Sequence, residues 1–226
     1  MVYLHTDDER GKPMQKIVST FGFWSALVAF VAAVGFSVAL ILQVGGVLAF
    51  PWDGILIFGF SLCIATPFML AILALHYTVP NEKKIWSHAA LLFAVIYTVY
   101  VTLNYVVQLG TVIPMTATAD EIRVLNQTPH SLLWDADALG YIFMGLATLF
   151  AFPVFTKQGI QRWLRGFFLA NGLITPLVAV YYFYPNFSYG LLLVDTPWLI
   201  TLPGAMLLLA VFFSPLRKTE LVTMSE

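Results

Sequence analysis

Tyr97, Tyr100, Asn104, Gln108 and Thr111 carry hydroxyl or amide groups at spacings of 3, 4, 4 and 3. On an α-helix, that spacing sets all five along one face. The residues between them are apolar, and a row of polar groups is costly against lipid, so the face is expected to turn toward the protein interior or a wet cavity. Two roles fit. The groups either hydrogen-bond neighbouring helices, at about 0.6 kcal/mol per bond, or line a cavity for a polar molecule.

A second row, Asp137, Tyr141, Met144 and Thr148, follows a similar helical spacing in the next apolar run, with Asp135 pointing nearly the opposite way. An ionisable group placed about one turn inside a span marks a functional site by default. The other account is that Asp135 and Asp137 are favourable negative charges in the first turn of a helix whose end is wet. Asn171, Thr175, Val178 and Tyr182 share a third face. The three spans are expected to enclose a cleft open to the outside. Asn104, Gln108, Asp137, Tyr141 and Tyr182 would line it, Tyr97 and Tyr100 would add aromatic wall, and Asn171 would lie in the inner half. Aromatic walls with a few polar groups suit a small amphipathic molecule or a lipid. The amides of Asn104 and Gln108 would orient its polar head, while Asp137 selects a cation or exchanges a proton.

Other chemistries are poorly represented. No His-Glu-x-x-His zinc pattern, phosphate-cradling glycine loop, Gly-x-Ser-x-Gly elbow or dinucleotide fingerprint occurs, so no metal and no cofactor are expected. His5, His76, His88 and His130 match no metal spacing; His76 and His88 bracket one inner loop and are expected to be solvated. Cys63 is the only cysteine, which excludes an intrachain disulfide.

The elements that must position these groups follow from hydropathy. Hydrophobic residues make up 60% of the 226 and charged residues 10%, against about 25% charged in a soluble domain. Six windows are long and apolar enough to span a bilayer, at roughly 19–43, 54–76, 86–109, 133–155, 164–184 and 196–213. The expectation is an all-α, polytopic transmembrane bundle, a single domain over residues 1–226. Ten of the eleven basic residues, from Arg10, Lys12 and Lys16 to Arg217 and Lys218, fall on one side of that pattern, and only Arg123 on the other. The positive-inside rule then puts both termini in the cytoplasm. The inner segments sum to +4 and suit anionic lipid, the outer ones to −5, and nucleic acid binding is excluded for want of a large basic surface. Trp52, Trp86, Trp134, Trp163 and Trp198 fall near span ends, where indole rings favour the membrane interface.

The outer segment 110–132 is the longest connection, either a lid or a plain connector. Two glycosylation sequons, Asn126-Gln127-Thr128 and Asn186-Phe187-Ser188, lie outside. Pro67 and Pro176 sit near the centres of the second and fifth spans, as isolated kinks or as hinges of two inverted halves. Gly22, Ser25, Ala29 and Ala33 form a close-packing face for another helix of this chain or a second subunit, which admits a homo-oligomer.

The segments Asn104-Tyr-Val-Val-Gln-Leu, Asp137-Ala-Leu-Gly-Tyr and Arg165-Gly-Phe-Phe-Leu-Ala-Asn-Gly resemble those of prokaryotic multi-span membrane proteins of uncharacterised activity. The resemblance covers about half the chain, implies a prokaryotic plasma membrane, and carries no functional residue. The residues favour binding or translocation of a small amphipathic molecule or lipid over catalysis. The alternatives are an enzyme acting on a lipid or isoprenoid with Asp137 as general acid, and a structural or partner-binding bundle.

Overall fold

The long apolar runs of the chain fold as helices, which satisfy every backbone polar group within their own segment. The computed structural model describes residues 8–186 and 189–222 and contains no β-strand among them. His5, and Phe187-Ser188 of the second sequon, lie outside the described residues, as do the side chains of Arg10, Lys12, Arg217 and Lys218. The helices are α1 (Asp8–Val44), α2 (Trp52–Thr78), α3 (Lys84–Val107), α4 (Ala119–Leu125), α5 (Leu132–Ala151), α6 (Gly159–Phe183), α7 (Tyr189–Asp195) and α8 (Trp198–Val222). A π-helical turn, Gln108–Val112, extends α3, and a 3-10 turn, Phe152–Val154, ends α5.

On α1 the buried face is Ser25, Ala26, Ala29, Ala32 and Ala33, whereas Trp24, Val28, Val31, Val38 and Ile41 are exposed. This inversion of the soluble pattern suits a membrane, where lipid is as apolar as leucine and small side chains let helices approach closely. Five helical stretches are long and apolar enough to cross a bilayer: Gln15–Val44, Trp52–Thr78, Asn81–Val112, Leu132–Val154 and Gly159–Phe183. In α8 the apolar stretch Trp198–Ser214 is shorter.

Packing follows chain order around a ring: α1 on α2, α2 on α3, α3 on α5, α5 on α6, α6 on α8, and α8 back on α1. The small-residue face of α1 is used within the chain, Gly22 lying against Phe213 of α8 and Ala74 of α2. The short helices α4 and α7 lie at the end we term upper, which carries the connection between α3 and α5. At the lower end, basic side chains close the carbonyls that the end of α5 leaves open. Lys83 Nζ donates to Val154 O at 2.8 Å, and Arg165 Nη1 donates to Phe155 O at 3.2 Å, with its guanidinium carbon 4.8 Å above the Phe152 ring.

Trp52, Trp86 and Trp163 are exposed near helix ends, as expected, but Trp134 and Trp198 are buried. Both begin their helices; their inward faces are set by helical phase, which position along the chain does not reveal. Pro67 and Pro176 are both interior to helices, α2 and α6.

Two glycines of α5 fix its distance from its neighbours. A methyl group on Gly140 would come within 2.7 Å of Val101 Cγ2 on α3, and one on Gly145 would press into the Thr175 hydroxyl on α6. Overpacking of this kind costs about 1–3 kcal/mol. We therefore expect Gly145→Ala to destabilise the protein by about that amount in steric-trapping unfolding measurements. Thr175→Ala should recover most of the loss, because the Thr175 hydroxyl is buried without a hydrogen-bond partner and its removal is cheap.

Candidate functional site

Asp137 lies in the second turn of α5 and is 2% exposed. A carboxylate is an acceptor only, and its oxygens here take donors from three directions. Asn104 Nδ2 on α3 donates to Oδ1 at 3.2 Å, Tyr182 Oη on α6 donates to Oδ2 at 2.6 Å, and Gln127 Nε2, from the connection after α4, donates to Oδ2 at 2.9 Å. Tyr105 also lies close enough to act on the carboxylate. No basic side chain among the described residues pairs with it; the groups that act on it are Tyr182, Tyr105, Asn104 and Gln127.

The connection is held over the site by α3. Gln108 Nε2 donates to Leu125 O at 2.8 Å and Gln108 Oε1 accepts from Gln127 N at 3.3 Å, so one amide grips the chain on both sides of Asn126. The Gln127 side chain then descends between Asn104 and Asp137, its Oε1 accepting from Asn104 Nδ2 at 2.9 Å. The cleft expected to open outward is covered by this segment. Local sequence explains the path: Thr118 and Glu121 form a reciprocal capping box that starts α4, and Ser131 caps α5 by accepting from Trp134 N at 3.2 Å.

Aromatic rings pack around the carboxylate. Tyr105 and Tyr141 share a hydroxyl hydrogen bond of 2.9 Å. The Trp134 ring packs 4.8 Å from Tyr182 and donates from Nε1 to Tyr182 O at 3.0 Å, while Trp198 meets Tyr141 edge-on at 5.3 Å. Two polar atoms lack partners here. Asn104 Oδ1 is left without a donor, since the amide turns its NH2 group to Asp137 and Gln127, and Tyr97 Oη, two turns below on the same helix, is also unpartnered.

Of the site residues expected from sequence, Asn104, Gln108, Asp137, Tyr141 and Tyr182 come together, and Tyr97 abuts them, its ring 6.2 Å from that of Tyr141. Tyr100 is only partly buried and stacks on Phe143 at 6.1 Å, away from the carboxylate. Asn171 belongs to a separate buried cluster, donating from Nδ2 to Thr148 Oγ1 at 3.1 Å and accepting from Thr201 Oγ1 at 3.0 Å. At about 1.5 Å per residue, Thr148 lies about 16 Å below Asp137 along α5. His76 bonds Ser87 at 2.8 Å with His88 beside it, and no group of three metal-ligating side chains occurs among the described residues.

Sequence periodicity missed Tyr105, Trp134, Trp198 and Gln127. Tyr105 departs from the four-residue rhythm, and the π-helical turn that follows at Gln108–Val112 shifts the buried phase by one residue, so Val112 rather than Thr111 is buried. Gln127 lies in a connection with no helical period, where spacing carries no signal of burial. Compared with known proteins, the chain matches no family model, no curated protein and no solved structure.

The bond from Tyr182 ends on a carboxylate, and such bonds contribute about 1.5–3 kcal/mol, against about 0.6 kcal/mol for the average polar contact between membrane helices. Tyr182→Phe should therefore destabilise the protein by more than Thr98→Val, which removes a neutral hydroxyl shared between Ala94 O at 2.8 Å and Ala65 O at 3.2 Å; unfolding of both variants in mixed micelles tests the order.

Glu121, exposed outside the helical core, is held below the usual glutamate range by bonds from the Thr118 hydroxyl first and the Thr118 backbone second. A depressed folded value means that its support for α4 is complete above the ordinary carboxylate range and is lost as pH falls through the folded value. Protection factors for amide hydrogen exchange in residues 119–125, corrected for intrinsic rates, should fall with acidification in the wild type. The fall should be much smaller in Glu121→Gln.

Proposed function

We propose that this chain is a six-span protein of a prokaryotic plasma membrane, with both termini cytoplasmic, that binds or translocates a small amphipathic molecule at Asp137. The sixth crossing is α8, whose place between α6 and α1 in the ring supports it although its apolar stretch is the shortest. Orientation rests on the basic residues, ten of eleven at the lower end. The upper end, with its connection over Asp137, then faces outward.

One observation carries the functional reading. Two donors to Asp137 come from membrane helices, but the third, Gln127, is supplied by the covering segment. A purely structural carboxylate is best satisfied by the framework itself. Here the segment fills the place of a hydrogen-bonding group that arrives from outside, and its withdrawal opens both the mouth and an acceptor on Asp137. The tyrosines and tryptophans packed around the site offer an apolar wall for the rest of a ligand. Pro67 and Pro176, inside α2 and α6, are the hinges in the translocating version.

Native mass spectrometry of detergent-extracted protein tests this. A specific co-purified species should be present on the wild type and lost in Asp137→Asn and Asn104→Ala, and uptake of that species into proteoliposomes should lose its dependence on proton concentration in Asp137→Asn. If only bulk lipid accompanies all three proteins and the variants merely unfold earlier, the site is a packing element and the reading fails.

A further inference from the structure

Resting on the reading of Asp137 as a ligand site, we propose that the ligand's polar end is a protonated primary amine. Donors and acceptors at the site do not balance. Asp137, when ionised, is acceptor-only, and it has no basic partner among the described residues. Asn104 Oδ1, also acceptor-only, is fully buried without a donor. Of the donors nearest the carboxylate, Asn104 Nδ2 is shared between Asp137 and Gln127, and the Tyr182 hydroxyl is spent on Asp137; the unpartnered Tyr97 hydroxyl lies two turns below on α3. A ligand that brings acceptors, such as a carboxylate or phosphate, would meet acceptors and a negative charge. One that brings N–H donors and a positive charge meets what the site lacks.

The number of donors narrows the class. When Gln127 withdraws, Asp137 Oδ2 loses an N–H donor and Asn104 loses the acceptor for one of its own hydrogens. An ammonium group has three N–H donors. That is enough to replace the Gln127 donor on Oδ2 and to supply one to Asn104 Oδ1, whereas a quaternary ammonium can do neither. The rings favour an organic cation over a bare metal ion. Tyr182, Tyr141, Trp134 and Trp198 present aromatic surface around the carboxylate, and such faces attract a cation carried on carbon. Gln127 is thus a resident competitor, placing the same kind of N–H where the amine would place its own.

The test titrates the full chain in lipid nanodiscs, read by tryptophan fluorescence, with 2-phenylethylammonium and three compounds of similar shape: 2-phenylethanol, benzyltrimethylammonium and 3-phenylpropionate. Loss of one hydrogen bond to a charged group corresponds to about tenfold in affinity or more, so the primary amine should bind at least about tenfold more tightly than the other three. Asp137→Asn should abolish that preference. Gln127→Ala removes the competitor and leaves the helices intact, so amine affinity should rise by about tenfold; this arm stands even where the Asp137 variant does not fold. A merely structural Gln127 would give unchanged or weaker binding, which overturns the proposal. Sodium ions competing with the amine at millimolar concentration, or equal binding of the quaternary compound, also overturn it. Equal binding of 2-phenylethanol that is still lost in Asp137→Asn overturns the amine assignment and leaves the ligand site standing. No binding of any compound to the wild type or to Gln127→Ala overturns the amine assignment, and the native mass spectrum then decides on the site.

Discussion

A carboxylate removed from water must be given donors by the protein that removed it, because an unpaired buried charge costs far more than a hydrogen bond returns. At Asp137 this requirement joins four parts of the chain. Asn104 fixes the phase of α3, Tyr182 fixes that of α6, and Gln127 ties down the connection between α4 and α5. Gln108 secures that connection through its backbone, so the carboxylate and the amide one turn above Asn104 act on the same segment from below and from the side. Tyr182 in turn gives its backbone carbonyl to Trp134, which returns to the first turn of α5 and closes a loop of contacts around the acid.

The ring of helices supplies the geometry this network needs. Glycine at positions 140 and 145 brings α3 and α6 close enough to α5 for short side chains to meet across it. Below the acid, Met144 is fully buried, and beneath it the Asn171, Thr148 and Thr201 cluster links α5, α6 and α8. The interior therefore holds two polar clusters, an upper one with a carboxylate and a lower, uncharged one.

Much of this was legible in the sequence because a membrane simplifies the code. A bilayer demands long apolar helices and tolerates polar side chains only inside, so Asn104, Gln108, Asp137, Tyr141 and Tyr182 could be assigned to a shared interior from spacing alone. What escaped has specific causes. Thr111 was placed by assuming an unbroken α-helix, and the π-helical turn beginning at Gln108 altered the count. Trp134 and Trp198 follow the interface rule in position and break it in direction, since the rule concerns depth and says nothing of azimuth. Gln127 had no periodic signal, for its place depends on the capping of α4 by Thr118 and on the grip of Gln108, both tertiary facts.

The closed ring bears on how the molecule is built. Five of its six seams join helices that follow one another among the ring members, so each can form as the newer helix arrives, and only the seam between α1 and α8 needs partners from the two extremes of the chain. Synthesis proceeds from the N-terminus. The acid on α5 is therefore made before Tyr182, whereas Asn104 and Gln127 precede it in the chain. Two of the donors that Asp137 takes are thus already synthesised when it is made, and the third arrives with the next helix of the ring.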